Sequence, residues 1–251
     1  MATFRLVVEY DGSDFGGWQA QAEGARRTVQ GTLEEAFARI TGEAVSVIGA
    51  GRTDARVHAE GQLASVRIET DLDPGTLQRA LNAVLPDDVS VKRLESARPG
   101  YHALRDARGK CYRYSVWNGT VRSPLRRRTH LWLRAPLDLE AMRRAAAPLV
   151  GRHDFAAFET RGREHPDPGR STVRSLWRIG IEGRPGDAIH LDFEGEGFLR
   201  YMVRTLVGTL LEVGRGSRDE SDPTRILESR DRRRAGPTAP PEGLRLLRVD
   251  D

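Results

Sequence analysis

Two spacings alternate along the first hundred residues, and their order restricts the fold more than any other feature of the chain. Phe4, Leu6, Val8 and Tyr10 recur at every second position, the period of a strand with one buried face. Val29, Leu33, Ala36, Phe37 and Ile40 recur at helical spacing across residues 28–40, and Gly42 is a stop signal. Val45 and Val47 make a short strand, and Ala64, Val66 and Ile68 alternate again. Asp73-Pro74 reads as an N-cap followed by proline in the first turn. Leu77, Ala80, Leu81 and Val84 then share a helical face that ends at Pro86, and Val89 and Val91 begin another strand. The order strand, helix, strand, strand, helix, strand is that of a split βαβ, ferredoxin-like unit. In such a unit the helices cover a mainly antiparallel sheet.

A polar connection over 97–109, carrying Pro99, Gly100 and Gly109, marks a domain boundary, giving domains 1–105 and 106–251. Beyond it, residues 111–117 read as a strand with Tyr112, Tyr114 and Val116 on one face. Leu131 and Leu133 suggest a short strand. Asp138 caps a helix with Leu139, Met142, Ala146 and Leu149 along one side. Residues 160–171 are charged and rich in Gly and Pro, the composition of a mobile surface loop. Residues 173–181 and 188–193 read as paired strands. The longest apolar-periodic segment, 198–213, carries Phe198, Met202, Leu206 and Leu210 and closes at Gly214. Asp222-Pro223 caps a short helix through Leu227, and 244–249 is a last strand. The second half therefore repeats the order of the first with one added helix, and the fold class is α+β.

The chain of 251 residues has a single cysteine, Cys111, so it forms no intramolecular disulfide. No apolar run approaches a membrane span, and the N-terminus lacks the apolar stretch of a secretory signal. These features point to a cytoplasmic protein. With 40 basic and 36 acidic residues the net charge is +4, a balance that suits a polyanionic partner. Lys92 and Lys110 are the only lysines, so nearly all positive charge is guanidinium, which grips phosphate bidentately and stacks on bases. The clusters at 122–128 and 230–234 are candidate phosphate contacts.

Several chemistries are excluded cheaply. The one Gly-Lys pair, Gly109-Lys110, is followed by Cys111 and not by the Ser or Thr of a phosphate-binding loop. One Cys and six scattered His do not supply a structural zinc site. The Gly/Asp-rich segment 11–18 lacks the glycine spacing of a dinucleotide fingerprint. What remains is arginine and carboxylate chemistry. In residues 49–59, Gly49 and Gly51 disfavour a helix by about 1 kcal/mol each, and the stretch lies between two strands. It reads as a loop from which Arg52 and Asp54 reach into a site. An exposed ion pair is the simpler role for such an Arg-x-Asp. A nucleophilic Asp must be ionised, however, and Arg204, a charge inside an apolar helix, is a candidate cation for it. His58 reads as a loop hydrogen-bonder. Tyr112 and Tyr114 are core residues or a stacking wall.

Taken together, these stretches resemble the tRNA pseudouridine synthase A family. They are Tyr10-Asp11-Gly12 with Gly17-Trp18-Gln19, Thr28-Val29-Gln30-Gly31, and Gly51-Arg52-Thr53-Asp54-Ala55 with Val57-His58-Ala59. Further on come Tyr112-Arg113-Tyr114, His153-Asp154-Phe155, Gly197-Phe198-Leu199, Met202-Val203-Arg204, Val207-Gly208-Thr209 and Ala235-Gly236-Pro237-Thr238-Ala239-Pro240. The resemblance implies an isomerase that makes pseudouridine at nucleotides 38, 39 and 40 in the anticodon arm of tRNA. It implies a homodimer without cofactor, and two ferredoxin-like halves sharing a mainly antiparallel central sheet. By the same resemblance Asp54 is the nucleophile, Arg52 helps extrude the target, Tyr112 stacks on the uracil and Arg204 pairs with Asp54. A non-catalytic RNA-binding module on the same scaffold is the alternative. Two departures stand out. Arg56 occupies a position that is usually glycine in the family, hence a candidate for positive φ. Tyr101-His102-Ala103-Leu104-Arg105-Asp106 is an altered form of the family's Phe-His-Ala-Arg-Phe-Ser.

Overall fold

The computed structural model describes residues 1–20, 26–160 and 171–251. The chain packs into two compact units, Met1–Arg108 with Arg245–Asp251, and Gly109–Leu244. The first holds β1 (Ala2–Tyr10), α1 (Val29–Thr41), β2 (Val47–Gly49), β3 (His58–Ile68), α2 (Pro74–Val84), β4 (Val89–Ser96) and α3 (Ala103–Asp106). The second holds β5 (Gly109–Trp117), β6 (Leu131–Trp132), α4 (Leu139–Ala146), β7 (Gly151–Asp154), β8 (Val173–Gly183), β9 (Ala188–Gly195), α5 (Met202–Gly214) and α6 (Asp222–Ser229). The last strand, β10 (Leu244–Asp250), returns to the first unit and pairs parallel with β3 through Arg245↔His58 and Leu246↔Ala59. Division in chain order at residue 105 puts this strand with the second half; in space it packs with the first.

In the first unit β1 is central, antiparallel to β3 on one side and β4 on the other, and β2 pairs antiparallel with β3. The order β4-β1-β3-β2 is that of the split βαβ unit expected from the spacing. Phe4, Leu6, Val8 and Tyr10 are buried, as the alternation requires. Thr28 caps α1 by accepting from Gly31 N–H at 3.3 Å, and Gly42 closes it at φ 75°. Asp73 caps α2 by accepting from Thr76 N–H at 3.1 Å. Each such cap contributes about 1 kcal/mol. Val29, Leu33 and Phe37 of α1 and Leu77 and Leu81 of α2 are fully buried. Each adds about 1.5–3 kcal/mol over its exposed state.

The second unit repeats strand, helix, strand, strand, helix as β5, α4, β8, β9 and α5. β9 lies antiparallel between β5 and β8, with short strands β6 beside β5 and β7 beside β8. Tyr114 and Val116 of β5 face the core with Ile189, Leu191 and Phe193 of β9. Three local readings change. His153-Asp154, which the sequence suggests is a turn or helix end, lies in β7, paired with Arg174 and Val173. The apolar segment from Phe198 turns helical only at Met202, after Tyr201 at φ 60°. In α6, Ser221 holds the N-cap position and Asp222 is already helical. The surface loop expected over 160–171 falls almost wholly outside the described residues. Among the described residues no helix is long and apolar enough to cross a membrane.

Candidate active site

Asp54 sits in the connection between β2 and β3. Val57 N–H donates to its carbonyl at 3.2 Å, closing a four-residue turn over 54–57. Arg56 is the third residue of that turn and has φ 66°. A positive φ there is the mark of a type II turn, which favours glycine. The glycine that the resemblance implies here would have a physical reason, and in this chain an arginine adopts the strained conformation. Arg56 is exposed, and its own N–H donates to Phe15 O at 3.2 Å.

The rest of the loop is pinned by backbone. Ala50 N–H donates to Leu63 O at 2.7 Å, and Gln62 Nε2 donates to Gly51 O at 3.0 Å. Trp18 N–H donates to Thr53 O at 3.1 Å, and Thr53 Oγ1 lies 2.8 Å from the Tyr10 hydroxyl. Burial pushes that hydroxyl's pKa far above its ordinary value, so Tyr10 is a neutral phenol that orients Thr53. The segment 11–18, unassigned by spacing alone, is the cradle of this loop. A Cβ on Gly12 would lie 2.0 Å from Val57 O, and one on Gly17 would lie 2.8 Å from Thr53 O. Gly17 also has φ 110°. Phe15 and Trp18 anchor the cradle in the core. His58 is buried, and Gly12 N–H donates to its Nδ1 at 3.1 Å, the loop-bonding role its position suggested. Asp11 Oδ1 is equally close to that nitrogen, at 3.1 Å.

Asp54 is half-buried and Arg52 is exposed. Among the described residues Arg52 has no carboxylate partner, so the Arg-x-Asp is not a closed surface ion pair. Its guanidinium is free to meet a ligand.

In the second unit Tyr112 is buried on β5, edge-on to Phe198 with ring centroids 5.2 Å apart. Tyr114 is fully buried, its hydroxyl donating to Pro240 O at 2.9 Å, and burial raises its pKa. It is core, not a stacking wall. Arg204 projects from the first turn of α5. Its Cζ lies 4.9 Å from the Tyr201 ring centroid, and its Nε donates to Ala239 O at 2.7 Å. Ala239 N–H donates back to Arg204 O at 3.0 Å. The guanidinium is therefore held by the strap 235–240 and does not merely extend to solvent. The strap lies so close to α5 that a Cβ on Gly208 would be 1.8 Å from Pro237 O. Gly236 N–H donates to Thr209 Oγ1 at 3.0 Å.

Arg232 secures the far side of the strap, donating to Gly236 O at 3.1 Å and Thr238 Oγ1 at 3.0 Å. Burial lowers its pKa, yet it remains charged, since a guanidinium starts far above neutral. Nothing in the spacing singled out Arg232 from its neighbours Arg233 and Arg234. The signal available was the position of an arginine run beside the strap sequence.

A family model described as tRNA pseudouridine synthase matches residues 6–103 and 145–250. The chain is 46% identical over 249 residues to a tRNA pseudouridine synthase A of Myxococcus xanthus, covering 99% of this chain and 92% of that one. It is 44% identical over 254 residues to the protein of the same name from Solidesulfovibrio magneticus, covering 100% and 91%. With the one from Pelobacter propionicus it shares 43% identity over 249 residues, covering 99% of each.

Proposed function

The chain belongs to the tRNA pseudouridine synthase family, and on that premise we propose that it isomerises uridine at nucleotides 38, 39 and 40 of the tRNA anticodon stem-loop, with Asp54 as the nucleophile. The observation that carries this reading is the turn at 54–57. It fixes the backbone of a half-buried Asp54 while leaving Arg52 exposed and, among the described residues, without a carboxylate partner.

The reaction suits these parts. A uridine in a stem must leave its stack, at a cost of roughly a few kcal/mol. Arg52 offsets part of that by entering the vacated space and contacting phosphate. The bond from uracil N1 to the ribose breaks, the base turns, and C5 bonds to the same ribose carbon. A proton leaves C5 and one arrives at N1, so the product is an isomer and no electrons are exchanged. Asp54 bonds to the substrate during this exchange and is released at its end. Tyr112 forms the aromatic wall against the uracil, and Arg204, steadied by Ala239 O and Tyr201, is the cation that keeps Asp54 ionised. The protein works in the cytoplasm as a homodimer without cofactor; sedimentation giving a monomer at micromolar concentration would remove the dimer from this proposal.

The test is Asp54→Asn, assayed by mapping pseudouridine in tRNA. The expected result is loss of product at 38, 39 and 40 with tRNA affinity retained. Turnover at the wild-type rate sinks the assignment of the nucleophile. Unchanged biological role without any turnover in the parent protein favours the RNA-binding module instead.

A further inference from the structure

The loop that follows β5 builds a cavity of about 530 Å³ whose walls include Trp117, Arg122, Arg126, Arg127, Trp132 and Glu242. Both indoles are fixed by their N–H groups. Trp117 Nε1 donates to Val121 O at 2.7 Å, and Trp132 Nε1 donates to Gly119 O at 3.0 Å. Arg126 lies over Trp117 with its Cζ 4.0 Å from the ring centroid. Trp132 is 42% exposed, and Val121 and Leu125 on the same loop are more exposed still. Asn118 ties the loop to its surroundings by donating to Leu133 O at 2.7 Å and Ala135 O at 2.8 Å.

The charge adds to the shape. Several arginines of the same unit are matched to carboxylates, as in Arg113–Asp192 at 2.7 Å, Arg144–Glu220 at 2.7 Å and Arg218–Glu212 at 2.9 Å. Arg122, Arg126 and Arg127 have no ion pair among the described residues. Arg126 does act on Asp187 at longer range, but that carboxylate accepts from Ala188 N–H and faces Arg184. Among the described residues, Glu242 is the single carboxylate on the cavity wall.

We propose that this cavity is a second RNA-binding site, which takes backbone phosphates on Arg122, Arg126 and Arg127 and stacks one unpaired base on Trp132. Fixed aromatic faces beside unpaired guanidinium groups are the chemistry that holds single-stranded nucleic acid. The site is separate from Tyr112. Trp117 lies five residues along the same strand, about 17 Å away, and on the opposite face. A single folded RNA spans that distance. A second copy of the chain is a poorer occupant: a two-fold contact centred here brings the same arginines face to face.

The inference rests on RNA being the substrate, and the experiment keeps the two questions apart. Arg122→Gln/Arg126→Gln/Arg127→Gln and Trp132→Ala are titrated with a full-length tRNA transcript over a range of salt, beside Asp54→Asn. The triple variant is expected to weaken binding about tenfold at 0.1 M salt. Its slope of log K against log salt falls by about 0.7 for each single-strand phosphate that the removed arginines no longer neutralise. Trp132→Ala weakens binding about tenfold with little change in slope. At saturating tRNA both keep the wild-type turnover, whereas Asp54→Asn loses turnover and keeps affinity. Unchanged affinity and slope in both pocket variants overturns the proposal. So does conversion of a dimer to a monomer in sedimentation with affinity unchanged, which makes the patch a self-association surface. Retained turnover in Asp54→Asn strikes the proposed nucleophile and leaves the pocket result standing.

Discussion

The loop that carries Asp54 and the strap that holds Arg204 are both irregular segments fixed in place, but they are fixed by opposite means. The Asp54 loop is held by what is missing: Gly12 and Gly17 let a second loop approach to backbone contact, and the bonds that follow are mostly main-chain. The strap also has a glycine contact, at Gly208, but its outer side is held by one side chain, Arg232. The lesson is that the first segment is vulnerable to added atoms and the second to removed ones.

The sharpest way to break the comparison is Gly12→Ala. Its Cβ meets Val57 O at 2.0 Å and Val57 C at 2.5 Å, and no rotamer change moves a backbone carbonyl. Val57 closes the Asp54 turn, so the clash is delivered to the nucleophile's own backbone. The expected loss is about 3 kcal/mol of stability, read by urea unfolding, with turnover falling at least tenfold in the protein that still folds. Full turnover with a native unfolding midpoint would mean that the cradle does not position Asp54.

Arg232→Ala tests the other half. Removing a guanidinium that serves two carbonyls and the hydroxyls of Thr160 and Thr238 leaves the strap's outer edge unbonded, for an expected loss of about 2 kcal/mol. Because Arg232 acts through the strap on Arg204, kcat is expected to fall while KM for tRNA holds. Arg232→Lys restores only part of kcat, since an ammonium does not span the same acceptors. An equal rise in KM with kcat intact would make Arg232 an RNA contact and not a positioning residue.

The same contrast explains what was legible in the sequence. Side-chain spacing is written in the chain, so β1, α1, α2, β4 and the strand–helix order were readable. Glycine-flanked Arg52 and Asp54 stood out for the same reason. β3 was readable only from Ala64, because its first half, His58 to Gln62, is small or polar and owes its pairing to Tyr10 and β10. β7 has no apolar alternation, and its register comes from β8. The late start of α5 hides behind apolar Phe198 and Leu199, because the break is a backbone angle at Tyr201. Arg232 was invisible as a clamp because two of its acceptors are backbone carbonyls, which every residue possesses. The cradle glycines were visible as glycines, but their partners lie more than 30 residues away.

The smallest expected effect sharpens the comparison from inside the Asp54 loop. Arg56 holds φ 66° in a turn that favours glycine, and a left-handed conformation costs a non-glycine residue about 1–2 kcal/mol. Arg56→Gly relieves that strain, but the freer unfolded chain takes back about 0.4–1 kcal/mol. The net expectation is a gain of up to about 1 kcal/mol, visible as a small rise in the urea midpoint at unchanged m-value. Arg56 is exposed and its N–H bond to Phe15 O does not depend on its side chain, so the turn itself survives. Binding then decides why arginine is present. If affinity for tRNA falls while stability rises, the guanidinium is a phosphate contact maintained at the expense of backbone strain. If affinity is unchanged and stability rises, the strain serves no RNA contact at this position.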